Sequence, residues 1–322
     1  MIEIKKLTKT FGSLVAVDHL DLFIGAGDIF GFIGPNGAGK TTSMRILVTL
    51  LEPTSGVAFI DGLDVRKKGK EVRRRVGYMP DFMGVYDDLK VFEYLEFFAA
   101  AFGIEYRKRK AIVDGVLELT DLVSKQEALV DSLSRGMQQR LGLARVLIHD
   151  PKVLILDEPA SGLDPRARIE MRELLRELKR MGKTIMISSH ILSELEEICD
   201  RIGIIEHGQL VFSGTLEEIR PRLGIQSKVR VKVLGEGLRA MELLSVLPQI
   251  QSVEVLASQP SSSGLAGEGP GSTLLVTFKE GQTADGLIAR TLVTGGVDLV
   301  SLQPEQLKLD DAFLQLTKGI VH

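Results

Sequence analysis

The spacing of apolar side chains changes along the chain, and each change predicts a different element. Residues 1–11 (MIEIKKLTKTF) and 15–24 (VAVDHLDLFI) read as strands, as do GDIFGFIG at 27–34 and GVAFIDG at 56–62, with a helix expected from about Lys40. VGYM at 76–79 is strand-like and is followed by Pro80 and Asp81, which taken alone is a turn residue. From 90–104 (KVFEYLEFFAAAFGI) through 109–122 (RKAIVDGVLELTDL) the apolar positions recur at three and four, the period of helices. Strands and helices then alternate: a helix at 136–148, a strand at 152–158 (KVLILDE), a helix at 165–182, a strand at 184–190 (TIMISSH), a helix at 192–200, and strands at 201–208 and 209–214. The predicted class is α/β: a β-rich start, an α/β core and a helical insertion over about 84–145.

Past Gly224 the pattern becomes strand, helix, strand, strand, helix, strand and a final helix at 308–319 (KLDDAFLQLTKG). The βαββαβ order suggests a small ferredoxin-like α+β module. The predicted domains are residues 1–222 and 225–322. Residues 258–272, rich in Ser, Gly and Pro, are predicted to be a flexible hairpin loop, because such a stretch buries too little apolar surface to order itself.

Composition narrows the classes. A chain of 322 residues is long enough for two cores. Lys and Arg total 40 against 43 Asp and Glu, a formal charge of −3, so no global basic field points to nucleic acid. The single cysteine, Cys199, rules out an internal disulfide framework and fits a reducing compartment. The N-terminal segment does not read as a signal peptide, and no stretch reaches the roughly 18 apolar residues of a spanning helix. A cytoplasmic location is expected.

The strongest chemical signal is GPNGAGKTT: Gly34, Pro35, Asn36, Gly37, Ala38, Gly39, Lys40, Thr41 and Thr42. It lies between a predicted strand and helix, where glycines let backbone amides close around phosphate, Lys40 reaches the β/γ oxygens and Thr41 offers a hydroxyl to Mg²⁺. A second signal is the apolar VLIL ending in Asp157 and Glu158. Asp157 at a strand's carboxyl end suits metal holding, and Glu158 beside it suits proton abstraction from an attacking water.

Three further segments narrow this broad nucleotidase class. LSRGMQQR (133–140), SGLD (161–164) and His190 after MISS occur in an order and spacing that resemble the ATPase subunits of ATP-binding cassette transporters, over residues 1 to about 220. Ser134 and Gly136 open a helix and would form a second phosphate-binding terminus. The resemblance implies a head-to-tail dimer of two copies, in which Ser134 and Gly136 of one cap the ATP held by the other. It also implies that His190 contacts the γ-phosphate, that Asp164 lies across the dimer seam and that Phe11 stacks on adenine. Where family members usually carry Gln, this chain has Asp81, which is then expected to face Mg²⁺ alongside Thr41 and Asp157.

An ATP engine without a membrane span is expected to drive a separate permease from the inner face of the membrane. The resemblance is to bacterial exporters of drug, antibiotic, lipid or polysaccharide type. The rival is a soluble cassette ATPase acting on nucleic acid or ribosomes, though such proteins generally carry two cassettes or a long coiled coil.

Overall fold

The computed structural model describes residues 1–82, 84, 88–222, 228–235, 237–259, 271–279 and 286–305, in two compact units, Met1–Leu216 and Glu217–His322. The first begins with β1 (Ile2–Phe11) and β2 (Leu14–Ile24), followed by β3 (Ile29–Ile33), α1 (Lys40–Leu47), β4 (Ser55–Ile60), β5 (Leu63–Asp64), α2 (Gly69–Arg73) and β6 (Val76–Met79). Helices α3 (Val91–Ala101), α4 (Tyr106–Leu119) and α5 (Arg135–Leu147) come next. The unit closes with β7 (Val153–Asp157), α6 (Pro165–Arg180), β8 (Thr184–Ser189), α7 (Leu192–Glu196), β9 (Arg201–Glu206) and β10 (Gln209–Gly214). Helix α8 (Leu216–Arg222) follows.

Two sheets build this unit. An antiparallel sheet has the order β2-β1-β4-β5, and a second sheet has the order β10-β9-β3-β8-β7-β6, parallel except where β10 pairs with β9. Strands β3, β7 and β8 are buried along their whole length, as expected of parallel strands covered on both faces. Ile2, Ile24 and Ile60 of the antiparallel sheet share a core with Phe30, Phe32, Ile155 and Met186 of the parallel one. The sequence did not announce β5 or α2, and α7 ends four residues short of the helix expected through Asp200. Past Glu196 the chain must turn into β9, and the Asp200 amide donates to the Ile29 carbonyl rather than into a helix.

Local chemistry sets the long helices. In α6, Asp164 caps the first turn by accepting from the Ala167 amide at 2.9 Å, Pro165 opens the helix, and Met171, Leu174, Leu175 and Leu178 form the buried stripe. Helix α5 is capped in the same way by Ser134, which accepts from Met137.

The second unit has β11 (Lys228–Leu234), α9 (Gly237–Ser245), β12 (Ile250–Gln259), β13 (Gly271–Phe278), α10 (Leu287–Thr294) and β14 (Leu299–Glu305), with antiparallel neighbours in the order β12-β13-β11-β14. The hairpin loop expected over 258–272 is shorter than predicted: Ser258 pairs with Ser272 and Gln259 with Gly271, so the ends of that stretch belong to strands. Ladder hydrogen bonds satisfy the backbone there whatever the side chains contribute. The remainder of the loop, and the final helix expected at 308–319, lie outside the described residues.

Val231, Leu274, Phe278 and Ile288 lie in a core belonging to this unit alone. Phe278→Ala is therefore expected to cost about 3–5 kcal/mol. Hydrogen exchange should accelerate through β11–β14 while β3, β7 and β8 keep their protection; equal loss in both units would contradict separate cores.

Candidate active site

The site is assembled where the parallel strands end. After β3 the chain turns back through residues 34–39 before α1 begins at Lys40. Gly34 has no space for a side chain, since a Cβ there would lie 2.3 Å from the Ile205 carbonyl oxygen. Gly39 adopts φ 104°, and its Cβ would lie 2.4 Å from the Ala16 carbonyl oxygen. The loop is thus pressed against β9 and β2, while Pro35, Asn36 and Gly37 form its exposed rim and Ala38 and Gly39 its buried floor. Thr41 and Thr42, in the first turn of α1, are half-buried.

Lys40 is buried, and its Nζ donates to the carbonyl oxygens of Gly34 at 2.6 Å and Pro35 at 3.2 Å. Burial holds its pKa below the ordinary lysine value, against the pull of Glu158 and Asp157. Asp157, at the end of β7, is 2% exposed. Its Oδ2 accepts from Thr41 Oγ1 at 2.8 Å and its Oδ1 from Ser188 Oγ at 2.5 Å. Glu158 follows in the left-handed region, φ 51°. Its amide donates to Ser188 Oγ at 2.9 Å, its Oε2 is hydrogen-bonded to His190 Nδ1 at 2.9 Å, and its Oε1 lies 3.8 Å from Lys40 Nζ. Burial raises the Glu158 pKa, with the His190 hydrogen bond opposing it.

This chemistry suits a metal–phosphate ligand. Asp157 is a buried carboxylate whose partners are hydroxyls, with no ion pair to it among the described residues. A buried charge needs compensation, and the hydroxyl and carboxylate oxygens here are the hard donors Mg²⁺ prefers. Lys40, in turn, is a buried cation facing mainly its own loop's carbonyls, a position that an anion held by the loop amides would improve.

The remaining sequence-derived residues share no side-chain hydrogen bond or ion pair with this cluster among the described residues. Ser134 and Gly136 start α5 beside the start of α6, where a Cβ on Gly136 would lie 3.0 Å from Ala167 Cβ. No hydrogen bond or ion pair among the described residues joins them to 34–42. Asp164 caps α6 in its own chain. Phe11, 48% exposed at the end of β1, lies under Lys9, whose Nζ is 5.0 Å from the ring centre. Asp81 is exposed just past β6, the strand paired with β7.

Sequence reading missed two participants. Ser188 joins Asp157 to Glu158, and its only sequence signal is a hydroxyl at a buried strand end before His190. Gly208, at φ 81° in the β9–β10 turn, receives Asp18 N–H at its carbonyl (2.9 Å) and donates to Ala38 O (3.0 Å), tying the loop to β2.

A cavity of about 250 Å³ is lined by Val48, Leu50, Tyr78, Phe98, Phe102 and His149, among others. The Phe102 ring stacks on His149 with centroids 3.9 Å apart, and the Arg145 guanidinium sits 5.2 Å from the Phe98 ring centre. Tyr94 of the same helix is fully buried, whereas Phe97 is half exposed.

A glycine-rich loop between a buried strand and a helix, followed by a strand-end Asp-Glu pair, defines a P-loop nucleotidase. The ABC transporter family profile matches residues 17–161. The chain is 38% identical over 320 residues to the bacitracin transport ATP-binding protein BcrA of Bacillus licheniformis, covering 99% of this chain and 98% of that one. It is 40% identical over 233 residues to the Nod factor export ATP-binding protein I of Burkholderia lata, covering 72% and 75%. Among solved structures, a dimeric post-hydrolysis state of the ATP-binding cassette MJ0796 bound to ADP and Pi superposes with TM-score 0.61 at 25% identity, covering 67% of this chain and 99% of that one. The chain belongs to the ABC transporter family as an ATP-binding cassette, and it is an ATPase.

Gly208→Ala forces a side chain to φ 81° within 3.0 Å of Ala16 O and Asp18 N. It is expected to cost about 1–3 kcal/mol of stability and to weaken ATP binding measured by calorimetry. Gly182→Ala, also at φ 81° but with open space around it, should strain the backbone and leave ATP affinity unchanged.

Proposed function

We propose that this chain is the ATP-hydrolysing subunit of an exporter: a head-to-tail pair of copies hydrolyses ATP to drive a separate permease. The observation carrying this reading is the Glu158 carboxylate, which is held between His190 and Lys40 directly after a buried Asp157 bonded to the first turn of the loop helix. Residues Gly34 through Thr42 hold the phosphates, and Phe11 stacks on the base. Mg²⁺ bound by Thr41, Asp157 and Asp81 would neutralise phosphate charge as it develops. Glu158 takes the proton from the attacking water, and His190 steadies that carboxylate and reaches the terminal phosphate.

The dimer is supported by the terminus of α5, which among the described residues is capped by Ser134 and joined by no side-chain hydrogen bond to the phosphate loop, and MJ0796 was solved as a dimer. Among the described residues no helix is long and apolar enough to cross a membrane, which fits a subunit held at the inner face through its permease. The cavity beside Phe98 and Phe102 is assigned to a cytoplasmic helix of that permease. Arg73 and Arg145 line it and enter no ion pair among the described residues, so the helix is expected to bring apolar side chains and a carboxylate. The names of the relatives, bacitracin transport and Nod factor export, support an exported cargo. In the second unit, the βαββαβ order and the strand order β12-β13-β11-β14 support a ferredoxin-like accessory module.

Glu158→Gln is expected to retain ATP binding and to lower turnover by roughly 10²- to 10⁴-fold; turnover within a few-fold of the parent would remove Glu158 from the role of base. Sedimentation tests the pairing. Glu158→Gln with ATP should run as a dimer, and adding Gly136→Arg, which places a long side chain where Ala167 already lies within 3.0 Å of a Cβ, should return it to monomer.

A further inference from the structure

Ser188 is the point at which the two site carboxylates are joined. It is fully buried in β8, in register with Asp157 on β7 and with Phe32 on β3. Its hydroxyl has one proton, which goes to Asp157 Oδ1 (2.5 Å), leaving a lone pair to accept from the Glu158 amide (2.9 Å). Each bond therefore fixes the direction of the other. Glu158 sits at φ 51°, a conformation that a glutamate holds only when its surroundings impose it. No other hydrogen bond reaches its amide among the described residues. His190, just beyond the same strand, holds the Glu158 carboxylate. One strand end thus grips Glu158 at both its backbone and its side chain, and it also sets the Asp157 oxygen opposite the one facing Thr41.

We propose that Ser188 is a positioning residue for ATP hydrolysis, acting by orienting Glu158 and Asp157 rather than by touching substrate. The proposal rests on the assignment of Glu158 as the base. A serine that served packing alone would affect stability and leave the chemistry untouched. Orientation by hydrogen bonding predicts a loss in turnover that a retained hydroxyl prevents.

The test uses the full chain carrying Ser188→Ala, Ser188→Thr, Glu158→Gln, or Glu158→Gln with Ser188→Ala. Expected for Ser188→Ala is a kcat lower by about 10- to 100-fold, with the Kd for ATP within a few-fold of the parent and faster exchange of the Glu158 amide by NMR in metal-free protein. Ser188→Thr should recover most of the loss. In the Glu158→Gln background, Ser188→Ala should cost clearly less than it does alone, because the part acting through Glu158 is already lost and only the part acting through Asp157 remains. If the alanine variant melts below the assay temperature, Ser188→Cys, which keeps the volume but donates weakly, takes its place under the same criteria. Turnover within twofold of the parent, an unchanged Glu158 amide exchange rate, or a full multiplicative loss in the Glu158→Gln background would each overturn the proposal. A Glu158→Gln protein that hydrolyses ATP normally would sink the assignment of the base instead, so the two failures remain distinguishable.

Discussion

A buried carboxylate whose partners among the described residues are hydroxyls is the constraint around which the first unit is arranged. Asp157 is almost completely removed from water, and its two oxygens are met by hydroxyls, one from the first turn of α1 and one from β8. Desolvating a charge is expensive, and hydroxyl hydrogen bonds offset only part of that cost. What remains is an electrostatic demand for a positive partner at one spot on the carboxyl edge of the sheet. Lys40 feels the same charge but turns its ammonium into its own loop. The unit therefore holds the Lys40 cation and the Asp157 carboxylate without an ion pair between them among the described residues, an arrangement that a metal–phosphate ligand is suited to reconcile.

Around that charge the backbone holds unfavourable shapes, each kept in place by neighbours distant in sequence. Glu158 occupies a left-handed conformation with its amide anchored on Ser188 and its carboxylate on His190. The loop after β3 is shaped by Ile205 on one side and Ala16 on the other, and the turn at Gly208 ties it to β2. Strain of this kind persists only where the surroundings over-determine it. Rigid strands supply that support, since β3, β7 and β8 are parallel, adjacent and buried end to end.

Much of the fold was legible in the chain because its signals are local. The parallel strands are short apolar runs, and α6 carries a capping Asp164, an opening Pro165 and a regular apolar stripe. Signals that depend on pairing were not visible. Strand β5 is two residues long and exists only because it bonds to β4. The pairing of Gln259 with Gly271 overrode a composition that reads as loop. Helix α7 ends early because the Asp200 amide is claimed by β3.

For the site, the sequence by itself determined the reactive inventory: the glycine pattern ending in Lys40 and Thr41, the adjacent Asp157 and Glu158, and His190 after a strand. Those features are encoded within short segments, where residue type and spacing alone limit what the backbone can do. Only the tertiary structure decided which atoms meet. Thr41 in the first turn of α1 is joined to Asp157 at the end of β7, Ser188 bonds to both carboxylate residues, and Gly208 braces the loop. Register between β7 and β8 places Ser188 opposite Asp157, and a shift of one residue would turn its hydroxyl to the other face of the sheet. Register is settled by the burial of whole strands against one another, a property that no single segment carries.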